Sequence, residues 1–241
     1  MSVRWHTYPD EAAAAEACGH HIITLLEEVL SGQDRVTIAL SGGRTPQLLF
    51  DQLARTAFRW DRVHFFWVDE RCVPPADPLS NYRLADEHLF HPGHVPHRNL
   101  HRIDGELRPD HAAQRYVEEI RDFFDLEPGA MPRFDIVQLG MGADGHTASL
   151  FPGSPALDDR DAIAAAVYAE SVKQWRVTLM PGVLLAARHT VFLVCGQEKA
   201  EAVRPVFQGD YSPRRYPAQM ASHHARRVTW FLDQAAASLM D

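Results

Sequence analysis

Short apolar runs alternate along the chain with longer stretches in which apolar residues recur at helical spacing. The apolar runs predict strands over residues 36–40, 63–68, 134–139, 164–169, 176–179, 190–195 and 227–232. The helical spacing predicts helices over residues 10–30, 46–57, 80–90, 111–124, 181–188 and 198–207, and a short Ala-rich helix at the end of the chain. Residues 91–109 are rich in His, Pro and Gly and are expected to be irregular.

The alternation of strands and helices predicts an α/β fold, with a doubly wound, mostly parallel sheet flanked by helices. We find no internal repeat, low-complexity tract or linker in the sequence, so residues 1–241 are expected to form a single domain.

Composition narrows the functional classes. The chain has 241 residues and a net charge of -8, which argues against binding to nucleic acid or to a membrane surface through a basic patch. No apolar run approaches the roughly 20 residues of a membrane span, and the first residues lack the layout of a secretory signal. The three widely spaced cysteines suit a reducing compartment better than a disulfide framework. We therefore expect a cytoplasmic protein.

The first loop with chemical potential joins a predicted core strand to a helix. It consists of Ser41, Gly42, Gly43, Arg44 and Thr45. Thr45 is expected to be the N-cap of the helix and Pro46 its first residue. Glycines permit close approach of the backbone, and the N–H groups of a helix start attract anions, so the loop suits a phosphate. A tight strand–helix turn without a ligand is the alternative reading.

The second loop follows the predicted strand 134–139. Its glycines, Gly140 and Gly142, precede Asp144 and His146. An apolar strand that enters a glycine-rich turn places polar side chains at the carboxyl end of a sheet, where α/β folds bind their ligands. Because histidine is the side chain best suited to proton transfer near neutral pH, the sequence predicts an active-site loop.

Other charged residues also follow predicted strands. Arg71 could contact a phosphate through its guanidinium, or could belong to a structural ion-pair cluster with Asp69 and Glu70. Lys199 lies near a further helix start, and Arg176 lies elsewhere, at the start of its own strand. For the last two, a simple surface charge is the alternative.

A histidine-rich segment invites a metal hypothesis. It contains His88, His91, His94, His97 and His101. Pro92, Gly93 and Pro96 prevent a continuous helix from stacking these side chains, and no matching carboxylate or thiolate set lies nearby. We therefore favour a surface loop and expect no metal site.

Six segments, in order, carry a family resemblance. They are SGGRTP at 41–46, VDERCVP at 68–74, SNYRLA at 80–85, LGMGADGHTASLFP at 139–152, RVTLMP at 176–181 and FLVCGQEKA at 192–200. Together they resemble the 6-phosphogluconolactonases of the glucosamine-6-phosphate isomerase/6-phosphogluconolactonase family. The amino-sugar isomerases and deaminases of that family continue differently after the Gly-His pair, with a pattern closer to IAFNEP. One departure is Leu185, where the family usually has asparagine.

The resemblance implies hydrolysis of 6-phospho-D-glucono-1,5-lactone to 6-phosphogluconate in the oxidative pentose phosphate pathway. His146 would be the base, Asp144 would hold or polarise it, and the glycine-rich turn would offer N–H groups to the carbonyl oxygen. The 6-phosphate would be held by Ser41, Gly42, Gly43, Arg44, Thr45, Arg71 and Lys199, with Arg176 as a further candidate. The substrate is then a small phosphorylated sugar lactone, with no cofactor, metal or obligate protein partner required.

Two rival functions remain at this stage. An isomerase or deaminase on the same fold would use the same phosphate loop and a histidine, although the residues after His146 favour the lactonase. A non-catalytic sugar-phosphate sensor is the second, because this fold also serves as an effector-binding module. Such a module usually accompanies a DNA-binding segment, and this chain has no basic region to serve as one.

Overall fold

The computed structural model describes residues 3–240. Its strands, in chain order, are β1 (Arg4–Tyr8), β2 (Val36–Leu40), β3 (Val63–Trp67), β4 (Asp69–Arg71), β5 (Leu100–His101), β6 (Ile136–Leu139), β7 (Ala164–Ala169), β8 (Gln174–Leu179), β9 (His189–Val194) and β10 (Val228–Asp233). Its α-helices are α1 (Glu11–Leu30), α2 (Arg44–Ala54), α3 (Asn81–Ala85), α4 (Pro109–Phe124), α5 (Pro181–Ala186), α6 (Ala200–Gln208) and α7 (Ala218–His224). A π-helical turn, Asp86–Phe90, follows α3.

Seven strands form a central sheet in the order β1-β10-β9-β6-β2-β3-β5, and every neighbouring pair is parallel. The residues of β2, β6, β9 and β10 are all buried, as expected when both faces of a parallel sheet are covered. Helix α1 packs against α2 and against β9 and β10. The predicted doubly wound α/β fold is confirmed.

The strand order reverses between β2 and β6. From β2 the chain moves outward to β3 and β5, then returns to β6 on the other side of β2 and continues to β9 and β10. At such a reversal the loops that leave the two strands diverge and open a crevice at their carboxyl ends. The topology therefore brings the two loops after β2 and β6 to the same crevice.

A second, antiparallel sheet of three strands lies beside that crevice, in the order β4-β8-β7. It begins where β3 ends, and the Leu179 N–H donates to the Val68 carbonyl at the junction (2.7 Å). Strands β7 and β8 coincide with two predicted strands, but β4 and the separate sheet were not predicted. The sequence of β4, Asp-Glu-Arg, is polar, so a search for apolar runs does not predict this strand.

Several predicted boundaries are corrected. Thr45 is not the N-cap of α2: the helix begins at Arg44 and is preceded by Gly43, whose φ of 118° requires glycine. The prediction of a terminal Ala-rich helix was also wrong, because residues 234–239 form successive turns. Ser80 is confirmed as the N-cap of α3, where its side chain accepts a hydrogen bond from the Arg83 N–H.

Strand β1 and helix α7 were missed. Across the part of the chain that the structure describes, no helix is long and apolar enough to span a bilayer.

Candidate active site

A cleft of about 330 Å³ opens at the carboxyl ends of β2, β6 and β9. The residues singled out from the sequence that line it are Ser41, Gly42, Gly43, Arg44, Thr45, Arg71, His146, Arg176 and Lys199. Of the predicted site residues, Asp144 alone does not line the cleft, since it lies behind His146. The fold thus brings together a histidine loop, a glycine-rich helix start and four basic side chains.

His146 and Asp144 form a close acid–histidine pair. The Nδ1 atom of His146 lies 2.5 Å from Oδ1 of Asp144, and the His146 backbone N–H donates to the same oxygen at 3.1 Å. Partial burial alone would raise the pKa of the Asp144 carboxyl, but the hydrogen bonds and charge of His146 outweigh it and hold this pKa below its usual value. An ionised Asp144 fixes the proton of the neutral imidazole on Nδ1, which leaves Nε2 as the free basic nitrogen.

The glycine-rich loop is shaped around this pair. A Cβ atom at Gly142 would lie 2.1 Å from Nδ1 of His146, so no other residue fits there without displacing the ring. Inside the loop, the Gly142 N–H donates to the His146 carbonyl and the Gly145 N–H donates to the Gly142 carbonyl. The N–H groups of Gly142 and Gly145 are therefore engaged within the loop and are not free to donate to a substrate carbonyl.

The loop after β2 is anchored to β6. The Ser41 N–H donates to the side chain of Gln138 at 3.1 Å, and the Ser41 hydroxyl donates to the Gln138 carbonyl at 3.0 Å. The first N–H groups of α2 have no partner within the helix and carry the positive end of its dipole. Arg44 lies at the cleft mouth, where its exposed guanidinium pairs with Glu11 at 3.1 Å.

Arg71 and Arg176 are direct cross-strand neighbours on β4 and β8. Like charges opposite each other normally destabilise a sheet. Within residues 3–240, the buried Nε atoms of both side chains have no hydrogen-bond partner. Burial lowers the pKa of Arg176. The charge of Asp69 opposes this effect, and the charge of Arg71 adds to it. Two partly desolvated guanidinium groups that face one cleft form a site for an anion.

Glu70 fixes the position of Arg71 without pairing with its charge. Its buried carboxylate accepts hydrogen bonds from the N–H groups of Arg71, Asn81 and Tyr82 and from the Ser80 hydroxyl, all between 2.7 and 2.9 Å. Burial raises the pKa of Glu70, and these donors oppose the rise. The predicted alternative of an Asp69–Glu70–Arg71 ion-pair cluster is therefore not what orders this segment.

Ser149 connects the histidine loop to the arginine pair. Its hydroxyl donates to Oδ2 of Asp69 at 2.5 Å, and the same oxygen lies 3.7 Å from Nη1 of Arg176. The Ser149 N–H donates to the Thr178 hydroxyl of β8 at 3.2 Å. Between His146 and Ser149, Ala148 adopts a left-handed φ of 53°, which is uncommon for a residue with a side chain.

Lys199 reaches the cleft from the turn after β9. Gly196, with φ of 103°, starts this turn, and its N–H donates to both carboxylate oxygens of Asp233 at 3.1 Å. The short 3₁₀ turn Gln197–Lys199 then brings Lys199 to the cleft, together with Glu198.

Asn81 is a cleft residue that sequence reasoning missed. Its Nδ2 donates to the Asp69 carbonyl, and its Oδ1 lies 1.9 Å from the position of a Cβ atom at Gly42. Gly42 is therefore required for the Asn81 side chain to reach the loop. The segment SNYRLA contains this asparagine directly after the N-cap serine, which was the available signal.

The side chains of the histidine-rich segment do not come together at one site. His88 contacts Asp51, whereas His101 lies in β5 and contacts His64 and Glu119. Among the described residues, no group of three or more His, Cys, Asp or Glu side chains is arranged to hold a metal ion.

Fold and site together define an α/β protein with a cleft lined by basic side chains beside an acid-supported histidine. The family of glucosamine-6-phosphate isomerases/6-phosphogluconolactonases matches residues 9–230. The chain belongs to this family, as its motifs predicted.

Individual relatives agree with this assignment. A 6-phosphogluconolactonase from Synechocystis is 38% identical over 216 residues, which cover 89% of each chain. The crystal structure of the 6-phosphogluconolactonase from Thermotoga maritima is 30% identical, covers 96% of this chain and all of its own, and has a TM-score of 0.84. A monomeric glucosamine-6-phosphate deaminase shares the fold, with a TM-score of 0.83 at 22% identity. The fold alone therefore does not separate the two activities of the family.

Proposed function

We propose that this protein hydrolyses 6-phospho-D-glucono-1,5-lactone to 6-phosphogluconate. The observation that carries the proposal is the placement of His146, supported by Asp144, in the same cleft as the facing pair Arg71 and Arg176. A base for water and an anchor for phosphate are the two parts that such a reaction needs. The names of the relatives that cover most of the chain support the same substrate.

In the proposed mechanism, Nε2 of His146 takes a proton from a water molecule as its oxygen attacks the lactone carbonyl carbon. The resulting tetrahedral intermediate collapses with cleavage of the bond to the ring oxygen, and the imidazolium returns its proton to that oxygen. Asp144 holds the ring orientation and stabilises the imidazolium through Nδ1. The net reaction adds one water molecule across the ester bond, and His146 ends in its starting protonation state.

The phosphate is held by cations and by a helix start. Arg71, Arg176 and Lys199 supply charge, and the first N–H groups of α2, with the Thr45 hydroxyl, supply donors. Gly42 and Gly43 allow the backbone to approach closely. Ser41 acts by supporting the loop, because its hydroxyl proton is committed to β6. Arg44 adds charge at the mouth of the cleft.

Anchoring the remote phosphate assists the chemistry. Its binding energy fixes the lactone carbonyl against His146, so that the reaction gains from orientation as well as affinity. The donor to the developing oxyanion is a group other than the N–H of Gly142 or Gly145, since both already donate within the loop.

The packing of His146 favours the lactonase over the isomerase. The ring of Phe151 lies against the imidazole, with 4.7 Å between ring centroids. This residue occupies the position before the proline, where the isomerase-like continuation IAFNEP has a glutamate. The His146 pair therefore has an apolar neighbour on this side.

The deciding experiment is an initial-rate assay with freshly prepared 6-phosphogluconolactone, corrected for spontaneous hydrolysis, and run in parallel with glucosamine-6-phosphate. We expect rapid lactone hydrolysis and no turnover of the amino sugar. Turnover of glucosamine-6-phosphate alone would assign the isomerase or deaminase activity. A rise in melting temperature with either compound, without turnover, would assign a sensor.

A further inference from the structure

A second cavity, of about 460 Å³, lies at the amino ends of the central strands. It is lined by His189 at the start of β9, by the segment before β10 and by the end of α1. Since the strands are parallel and β9 has six residues, this cavity lies about 20 Å from the active-site cleft, at the opposite edge of the sheet. No part of the proposed reaction uses it.

Four arginines dominate the lining of this cavity: Arg133, Arg188, Arg226 and Arg227. Among the described residues, Arg188 alone of the four has an acidic partner, Asp135, at 3.3 Å. Asp135 already accepts from the backbone and hydroxyl of Thr37, at 2.9 Å each. Within the described part of the chain, Glu28 is the one acidic residue that lines the cavity. The cavity is therefore a concentrated positive region on a chain whose net charge is -8.

The arginines are partly preorganised. Arg227 adopts a left-handed φ of 39°, an unfavourable conformation for a residue with a long side chain. Its Nη1 lies 3.5 Å from Nε2 of His189, which is buried. Burial, and then the charge of Arg227, lowers the pKa of His189, so a neutral ring can accept from the guanidinium. Across residues 3–240, Arg133 and Arg226 have no ion-pair partner, which leaves their donors available.

We propose that this cavity binds a small anion with several negative charges, of the di- or triphosphate class. Guanidinium groups match phosphate oxygens through paired N–H donors, and several of them around one concave surface favour a polyvalent anion over a single charge. The cavity volume is in the range of small-molecule sites.

The test uses inorganic tripolyphosphate as the probe and isothermal titration calorimetry as the readout. Because the active-site cleft also attracts anions, the titration is made on the Arg71→Ala chain and on the same chain carrying Arg133→Ala and Arg226→Ala. We expect one site to remain in the first protein and at least a tenfold loss of affinity in the second. Arg98→Ala, at an exposed arginine elsewhere, is the matched control and should change nothing.

Three results would overturn the proposal. The first is no binding to the Arg71→Ala chain at low ionic strength, and the second is equal affinity with and without Arg133 and Arg226. The third is equally tight binding of sulfate, which would make the cavity a general anion-attracting surface. Melting temperatures verify that each variant is folded. Arg226→Lys, made in the Arg71→Ala chain, keeps the charge but loses the paired donors. Its affinity for tripolyphosphate should lie between that of the Arg71→Ala chain and that of the chain that also lacks Arg133 and Arg226.

Discussion

Arginines cluster at both ends of the parallel strands: beside the active-site cleft at the carboxyl ends (the carboxyl edge) and around the second cavity at the amino ends (the amino edge). The two groups differ in how far their side chains are buried. At the carboxyl edge, Arg71 and Arg176 lie side by side with buried Nε atoms that have no partner among residues 3–240. At the amino edge, Arg133 and Arg226 are exposed to solvent. A desolvated guanidinium gains far more from an incoming anion than a hydrated one, so burial determines how much a charge contributes to recognition.

The largest effect is expected at the histidine of the carboxyl edge. His146→Ala removes the proposed base, and kcat for lactone hydrolysis should fall by roughly 10²–10⁴-fold. Initial rates measure the loss, and an unchanged melting temperature shows that the fold is retained. His97→Ala, at an exposed histidine outside the cleft, is the matched control. An unchanged kcat in the His146 variant would remove this residue from the mechanism.

A smaller loss is expected for the arginine pair, and it should depend on the substrate. A hydrogen bond to a charged group contributes roughly 1.5–3 kcal/mol, so Arg71→Ala should lower kcat/KM for the phosphorylated lactone by about 10–100-fold. Unphosphorylated gluconolactone should be far less affected. The control from the other edge, Arg226→Ala, should change neither value. Equal losses for both lactones in the Arg71 variant would argue against phosphate contact.

The smallest effect is expected on the pH dependence of stability, through His64 near the amino end of β3. Burial, and then the charges of His101, Arg35 and Arg98, lower the pKa of His64 from its ordinary value of 6.5 to about 4. Between these pH values the unfolded chain binds more protons at His64 than the folded chain does. The contribution of the neutral His64 to the free energy of unfolding is therefore complete above pH 6.5 and is lost as the pH falls toward 4.

Replacement of His64 by Phe removes this titration while keeping an aromatic ring against Phe123. The free energy of urea unfolding of the wild type should fall by about 1–2 kcal/mol more than that of His64→Phe between pH 7 and pH 5, since one pKa unit corresponds to about 1.4 kcal/mol. Equal pH dependence in the two proteins would assign the acid sensitivity to other groups.

The sequence predicted the buried parts of the fold well, because strands such as β2 and β9 are continuous apolar runs. It failed where structure does not depend on apolar pattern. Strand β1 has four exposed residues at the sheet edge, and β4 is polar because its buried carboxylates accept hydrogen bonds from backbone N–H and hydroxyl groups. Helix α7 begins with Ala, Gln and Met and has polar residues buried by tertiary packing.

For the site, the loops were found because glycine, acid and histidine follow core strands. The relation between Arg71 and Arg176 was not visible, since their pairing depends on an antiparallel register between segments about a hundred residues apart. The same holds for Asn81, which reaches Gly42 only through the tertiary fold.

The hydrogen bond from Ser149 to Asp69 has a consequence for how this cleft can change. It connects the loop that carries His146 to the strand pair that carries Arg71 and Arg176, so the two walls of the cleft are linked through Asp69. A substitution that reshapes the wall around His146 is therefore expected to shift the arginine pair proposed to hold the phosphate as well. Redesign for a new ring would have to move both walls in concert, or cut this tie first.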